Sequence, residues 1–493
     1  MNEIPKIAID FASLNFSTIT PMIVAIVAAL IILCVDLATK KLDKSLYLTL
    51  TILALIVDLG FVFGFNSDAR GFFDLLLVDG VSTLAQAIIV IASIFFIILG
   101  FAKLRFQEFR YPEYFALYLF MVAGFQFMAS SDSLILIFVA LETSSLALYT
   151  MIAMHNRLNA IEAAIKYFTM GALTAAFFAF GSMILYAQTG SVELGQISLI
   201  LTQTEFENYF VILIAATFII AALAFKLSLF PFHLWVADVY EGSTSALAGF
   251  ISVVPKIAAF VVALRFFEIF IVNNDLFIQT ILYTIVILTM TIPNIIALLQ
   301  NDIKRMLAYS SVSNAGFAMG AILIGTNQAT QALFLYWIMF FITNLGGFTM
   351  LWLNRTKQYD KGSDHSMQKY AGLIKTSPKV AVLMALFMLT LAGLPPFALF
   401  WGKLYLIGSA VNAGFMFLAF MMIINSAIAA YYYLKPVVYM FLKQPDEPML
   451  YLQNATPIMK YLAIFCAVIT ITSIFTIEPL LQIITYYTQI SGF

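Results

Sequence analysis

Apolar residues run along this chain in long unbroken blocks, without the alternation of a strand or the one-sided stripe of a surface helix. A block of about 20 apolar residues is what a helix needs to cross a bilayer at about 1.5 Å of rise per residue. Fourteen such blocks can be cut, at 18–38, 46–65, 81–102, 112–129, 133–154, 161–187, 209–240, 246–271, 276–300, 305–325, 329–353, 380–408, 411–434 and 457–477, joined by short polar or Pro/Gly turns. The pattern predicts an all-α polytopic membrane protein, about 14 transmembrane helices in a single integral membrane domain over residues 1–493. One basic residue, Lys6, precedes the first block and no small-residue cleavage site follows it promptly, so it reads as a retained helix and not a signal peptide.

The basic residues test that count, because cytoplasmic loops are enriched in Lys and Arg. Strict alternation puts Lys40, Lys41, Lys44, Lys103, Arg105, Arg110, Arg157, Lys304, Arg305, Arg355, Lys357, Lys361, Lys369, Lys375, Lys379, Lys435, Lys443 and Lys460 on one side, and only Lys6, Arg70 and Arg265 on the other. An error of one span would mix the groups downstream of it. Both termini are therefore expected on the non-cytoplasmic side.

Composition agrees with this picture. The chain is 62% hydrophobic and 10% charged, whereas a soluble fold carries about 25% charged residues. A formal charge of −1 gives no reason to expect nucleic acid as a partner. Two cysteines, Cys34 and Cys466, and three histidines, His155, His233 and His365, cannot build an iron–sulfur cluster or a structural zinc site. No haem attachment motif and no phosphate-binding glycine loop is present. The chain is expected to bind no cofactor or metal and to carry no redox centre of its own.

The remaining four basic residues, Lys166, Lys226, Lys256 and Lys403, lie inside spans, as does Glu142. A lysine at the centre of a spanning helix costs about 2.5 to 3.5 kcal/mol on insertion scales, and such groups are usually functional or paired. By helix rise, Glu142 sits about 14 Å in from the outer end of its span and Lys256 about 15 Å from the cytoplasmic end of its own. Lys166 lies about two turns from the cytoplasm, and Lys403 is past the middle of its span toward the outside. Ordered by depth, the lysines form a ladder of the kind a proton relay requires, with Glu142 assigned as the partner of Lys226. Lys166 has an equally weighted plainer reading, as a residue that snorkels or pairs with Glu162 at i, i+4.

Two spans contain breaks. FKLSLFPFHLW places Pro231 in the seventh span and LAGLPPFALFWGK places Pro395 and Pro396 in the twelfth. Each proline frees the carbonyl four residues earlier, at Leu227, Leu391 and Ala392, and a free carbonyl at membrane depth must be satisfied by protein or water. Pro255 stands beside Lys256 in a third pairing of proline with buried lysine. Breaks five spans apart predict two inverted five-helix repeats, spans 4–8 and 9–13, with helices 7 and 12 discontinuous. The chain then divides into three N-terminal spans (1–110), a first repeat (111–271), an inverted second repeat (276–443) and a last span with its tail (457–493). The second-repeat counterpart of Glu142 falls on the uncharged SSVSN segment, Ser310 to Asn314.

Four segments carry a family resemblance: FKLSLFPFHLWVADVYEGSTSALAGFISVVPKIAAF (225–260), EAAIKYFTMGA (162–172), DIKRMLAYSSVSNAGF (302–317) and LTLAGLPPFALFWGKLYLI (389–407). Over its whole length the chain resembles the antiporter-like membrane subunits of respiratory complex I. The DVYEG stretch, with Lys and not His in the eighth span, is most similar to the N-type members. The resemblance implies a proton-translocating subunit of an NADH-quinone oxidoreductase in a bacterial inner membrane. Its implied partners are other membrane subunits of the complex, the lipid bilayer and protons, with NADH or another reductant and quinone used elsewhere in the complex. It places the buried relay on Glu142, Lys166, Lys226, Lys256 and Lys403. The alternative is a subunit of a cation/proton antiporter. The chain departs from the family pattern at Ser243, Thr244 and Ser245, where many relatives have prolines, and at Asn314, where a His is common.

Overall fold

A computed structural model describes residues 14–38, 44–64, 69–100, 111–204, 206–273, 275–353, 365–444 and 456–491. Lys6, Lys40, Lys41, Lys103, Arg105, Arg110, Arg355, Lys357 and Lys361, used above to orient the chain, lie outside these residues. A bilayer interior offers no hydrogen-bond partners, so an apolar run satisfies its backbone internally as helix. The helices are α1 (Thr20–Ala38), α2 (Lys44–Val62), α3 (Gly80–Gly100), α4 (Pro112–Ser130), α5 (Leu134–Ala153), α6 (Leu158–Thr189), α7 (Leu194–Gln203), α8 (Tyr209–Leu227), α9 (Trp235–Gly242), α10 (Ser245–Ile271), α11 (Leu276–Leu299), α12 (Ile303–Ile324), α13 (Asn327–Leu353), α14 (Leu373–Thr376), α15 (Pro378–Ala392), α16 (Ala398–Asn412), α17 (Met416–Leu442) and α18 (Pro457–Ile490).

Among the described residues, twelve helices are long and apolar enough to cross a membrane. Two of the fourteen expected spans are not in that set, for local reasons. Helix α4 carries Glu113, Gln126 and Ser130, which lower its hydropathy. The run 380–408 is divided at its prolines into α15 and α16. The expected turn 188–208 contains the short helix α7, and the α2–α3 connection holds a two-stranded antiparallel hairpin, Ala69–Gly71 with Leu76–Val78. Helix α18 continues to Ile490, well beyond the expected end at 477.

Polar residues at three helix starts act as caps. Thr244 accepts from the Leu247 N–H at 3.2 Å, Asp275 from Ile278 at 2.9 Å and Asp302 from Arg305 at 2.9 Å, each satisfying a first-turn donor. Thr244, one of the three positions noted above as departing from the resembled family's pattern, thus starts α10 by a side-chain cap.

Helices α10, α12 and α13 form the centre of the bundle, their apolar windows 100%, 94% and 89% buried, while α1 and α2 present most of their surface outward. The outward face is rich in large apolar side chains such as Leu53, Phe210, Phe420 and Phe475, as a lipid-solvated surface requires. Arg70 and Arg265 lie at the expected outer end. Arg265 is buried and pairs with Asp79 at 3.0 Å while donating to the Ser131 carbonyl at 2.7 Å; Arg70 pairs with Asp132 at 3.2 Å. Each arginine that departs from the orientation pattern thus has an aspartate beside it.

Candidate functional site

The first break places Lys226 in the last turn of α8. Ser228 adopts a left-handed conformation, its N–H reaches the Phe225 carbonyl at 3.1 Å, and Leu229 N–H reaches Ala224 at 2.7 Å, so the helix closes before Pro231. An ammonium there sits at the negative end of the helix dipole. Lys226 donates to the Ser145 hydroxyl on α5 and lies 6.0 Å from the centre of the Tyr167 ring. Glu142 stands one turn from Ser145 on the same helix. Its carboxylate attracts Lys226 through space but makes no ion pair with it, and Glu142 Oε1 has no hydrogen-bond partner among the described residues. The expected Glu142–Lys226 pair is thus two charges separated by a competing hydroxyl.

The link from 228 to 234 is anchored by Phe230 N–H, which donates to Thr289 Oγ1 on α11 at 3.0 Å. His233 is buried in this link, and neither ring nitrogen has a partner among the described residues; the same holds for Ser228 Oγ. In the sequence His233 is visible only as one of three imidazoles, and its burial inside the break could not be read from spacing.

Lys256, one residue after Pro255 in α10, donates to both the main-chain oxygen and the hydroxyl of Ser311, each at 2.7 Å. The Ser311 hydroxyl also bonds Tyr240 OH on α9 at 2.9 Å. The uncharged SSVSN segment is therefore a junction. Its neighbour Ser310 bonds Tyr433 on α17, Asn314 donates to Ser310 at 3.5 Å, and Tyr336 OH on α13 donates to Asn314 Oδ1 at 2.9 Å.

Lys403 lies beyond the second break. Its Nζ is 3.4 Å from the carbonyl of Ala392, one of the oxygens that the prolines were expected to free, and 5.2 Å from the centre of the Phe317 ring. Gly393, at φ 82°, turns the chain; a Cβ there would approach Lys403 Nζ to 3.3 Å, so the small residue leaves room for the ammonium. Gly402 likewise lets α16 approach Tyr336, where a Cβ would meet the Tyr336 Cα at 2.9 Å. The Ser310–Asn314–Tyr336 junction thus reaches the residue next to Lys403.

Lys166 is different. Its side chain is 45% exposed and pairs with Glu162 at 2.8 Å and Asp238 at 2.9 Å. Asp238 also takes Arg305 at 3.1 Å, and Arg305 reaches Glu241 at 2.5 Å. The plainer reading of Lys166, pairing with Glu162, is what the side chain does, within an ion network at the expected cytoplasmic end. Asp238, Glu241 and Arg305 entered the sequence reading only as members of a loop motif or a charge count. Their meeting depends on the return of α9 to α6 and α12.

Of the four lysines expected inside spans, Lys166 therefore joins an exposed network, and Lys226, Lys256 and Lys403 are buried, on α8, α10 and α16. Each of these three is held by one neutral oxygen or two, and none makes a salt bridge with a carboxylate among the described residues. No direct hydrogen bond links the three lysines to one another among the described residues.

Residues 131–429 match the family model described as NADH:quinone oxidoreductase/Mrp antiporter, TM. NADH-quinone oxidoreductase subunit N of Sulfurimonas denitrificans is 53% identical over 98% of this chain and 99% of its own, and that of Sulfurovum sp. 52% identical over 99% of each. Among solved structures, a chain of respiratory complex I from Thermus thermophilus with bound Aureothin superposes with a TM-score of 0.78 at 27% identity, over 94% of this chain and 98% of that one. A chain of the Mrp complex from Dietzia sp. DQ12-45-1b shares the fold, with a TM-score of 0.81 at 19% identity over 96% and 97%. The chain belongs to the family of antiporter-like membrane subunits of NADH:quinone oxidoreductases and Mrp antiporters.

Proposed function

We propose that this chain is the N-type proton-translocating membrane subunit of a bacterial respiratory NADH-quinone oxidoreductase, and that it moves protons along Glu142, Lys226, Lys256 and Lys403. Lys166 and its ion network lie at the cytoplasmic entry. The carrying observation is that three lysines buried to about nine-tenths or more sit beside helix breaks or a helix proline, each on a neutral oxygen. A lysine so placed loads a proton when a carboxylate approaches and releases it when the carboxylate withdraws. Glu142 is half-buried and one turn from Ser145, so a shift of Lys226 from hydroxyl to carboxylate needs only a side-chain movement.

The reading includes fourteen crossings, two inverted five-helix repeats and both termini outside the cytoplasm. It is supported by helix over each of the fourteen runs and by the matching breaks after α8 and α15. Quinone and NADH, or another reductant, react elsewhere in the complex, and the neighbours in the membrane are its other membrane subunits in the bacterial inner membrane. Identity above 50% with two N subunits favours this reading over a cation/proton antiporter, whose likeness here is one of fold.

The test is Lys226→Ala in the assembled complex, reconstituted in vesicles. The expected result is normal assembly with a large loss of proton pumping. Unchanged pumping overturns the relay, and sodium-dependent transport by the isolated chain favours the antiporter reading.

A further inference from the structure

The three N-terminal helices take no part in the lysine ladder, yet they bury a carboxylate. Asp58, on the lipid-facing helix α2, is wholly inaccessible, and its Oδ1 accepts from Gln126 Nε2 on α4 at 2.8 Å. Asp58 Oδ2, Gln126 Oε1 and Gln86 Oε1 on α3 are all buried with no hydrogen-bond partner among the described residues.

Helix register brings these groups to one level. Tyr118 OH on α4 donates to the Ser93 carbonyl on α3 at 2.7 Å, which fixes the two antiparallel helices against each other. Gln86 lies seven residues from Ser93 and Gln126 eight from Tyr118, both toward the expected outer end. These are steps of about 10.5 and 12 Å along the two helix axes, which set both buried amides at matched height. Asp58, bonded to Gln126, completes three acceptor oxygens from three helices.

Among the described residues no positive side chain balances the carboxyl. Charged groups on the helices packed against α2 are Asp36 on α1, which takes Tyr47 OH at 2.7 Å, and Glu113 on α4, both at the opposite end of the bundle. Arg265 and Arg70 at the near end are engaged with Asp79 and Asp132. A buried carboxylate with a single hydrogen bond is strongly disfavoured unless it is neutralised.

We propose that Asp58, Gln86 and Gln126 form an intramembrane site for a hard monovalent cation, held either as a proton on the carboxyl or as a sodium ion among the three oxygens. Carboxylate and amide oxygens are the ligands that hard cations take. The site is separate from the lysine ladder and stands or falls independently of it. Lying about four residues from the end of α2, about 6 Å along the axis, it is loaded from the outer side.

Infrared difference spectroscopy on the assembled complex tests it, with Asp58→Asn identifying the Asp58 carboxyl band. The band is followed between about pH 5 and 9, first in potassium and then with sodium in its place at equal ionic strength. The expected result is a protonated-carboxyl band that fades as pH rises. Depletion of the band by sodium at fixed pH assigns the site to both cations, and indifference to sodium assigns it to the proton alone. A second variant, Gln126→Leu, removes the donor that favours the ionised form and is expected to raise the midpoint by about one pH unit, a tenfold change in proton affinity. A carboxyl signal that neither pH nor sodium alters, or a midpoint unmoved in Gln126→Leu, overturns the proposal.

Discussion

The ammonium of Lys403 lies 3.4 Å from the carbonyl oxygen of Ala392, eleven residues earlier in the chain and across the second helix break. Pro396 has no N–H, so it cannot take that carbonyl in the ordinary helical bond. The lysine takes it instead, and one residue both closes the break and carries the charge.

Two substitutions separate those roles. Lys403→Met leaves the carbonyl without its donor and is expected to lower stability by about 1 to 3 kcal/mol while abolishing transfer through this position. Lys403→Arg keeps a donor and a charge but does not release a proton near neutral pH. It is expected to preserve thermal stability of the assembled complex and still depress pumping in vesicles. Equal pumping by the Arg variant and the wild type would show that Lys403 acts only as a structural donor.

At Lys226 the competing partners are Ser145 and Glu142. Ser145→Ala removes a hydrogen bond to a charged group, expected to cost about 1.5 to 3 kcal/mol less whatever Lys226 regains by swinging to Glu142. The Ser145→Ala and Glu142→Gln pair is therefore expected to be non-additive, with a coupling of at least about 0.5 kcal/mol in a double-mutant cycle of thermal unfolding. Strict additivity would mean that Lys226 does not exchange between the two.

The end expected to face outward contains a sharp contrast. Arg265 and Asp79 are both about 95% buried, so Arg265→Ala strands a buried carboxylate and is expected to cost about 3 to 5 kcal/mol. Arg70, with its side chain 44% exposed, is expected to contribute under about 1 kcal/mol through its pair with Asp132. Denaturation midpoints of Arg265→Ala and Arg70→Ala measure both.

Lys166 shares the Asp238 carboxylate with Arg305 in a partly exposed network. Lys166→Gln is expected to change stability little, with the difference shrinking further as salt is raised. Its effect on pumping is expected to be smaller than that of Lys226→Ala, which vesicle acidification assays on the two variants compare directly.

Much of the architecture was legible because the bilayer is a strict solvent. Apolar run length predicted helix over each block, and the prolines at 231, 395 and 396 predicted where two of them divide. The expectation that a freed carbonyl needs a partner was specific enough to name Ala392, and the partner proved to be one of the ladder lysines. The hairpin before α3 and the helix α7 were not legible, since a three-residue strand and a ten-residue helix in a polar turn leave little periodic signal. The role of Asp58 was not legible for another reason. It interrupts the second apolar run as plainly as Glu142 interrupts the fifth, but one carboxylate in an apolar stretch does not say whether it faces lipid, a neighbour or two glutamines.

By itself, the sequence determined the solvent, the class of fold, the places where helices break and the positions of the charged side chains along their helices, all of which depend on residue type and distance along one helix. Only the tertiary structure decided partners. Lys226 meets Ser145 and not Glu142, Lys256 meets Ser311, and Lys166 joins Asp238 and Arg305's network, because these contacts depend on how one helix turns and slides against another. Hydrocarbon fixes which residues must be inside, but it exerts no preference among the polar groups already there. That choice is made by helix packing, a few tenths of a nanometre at a time.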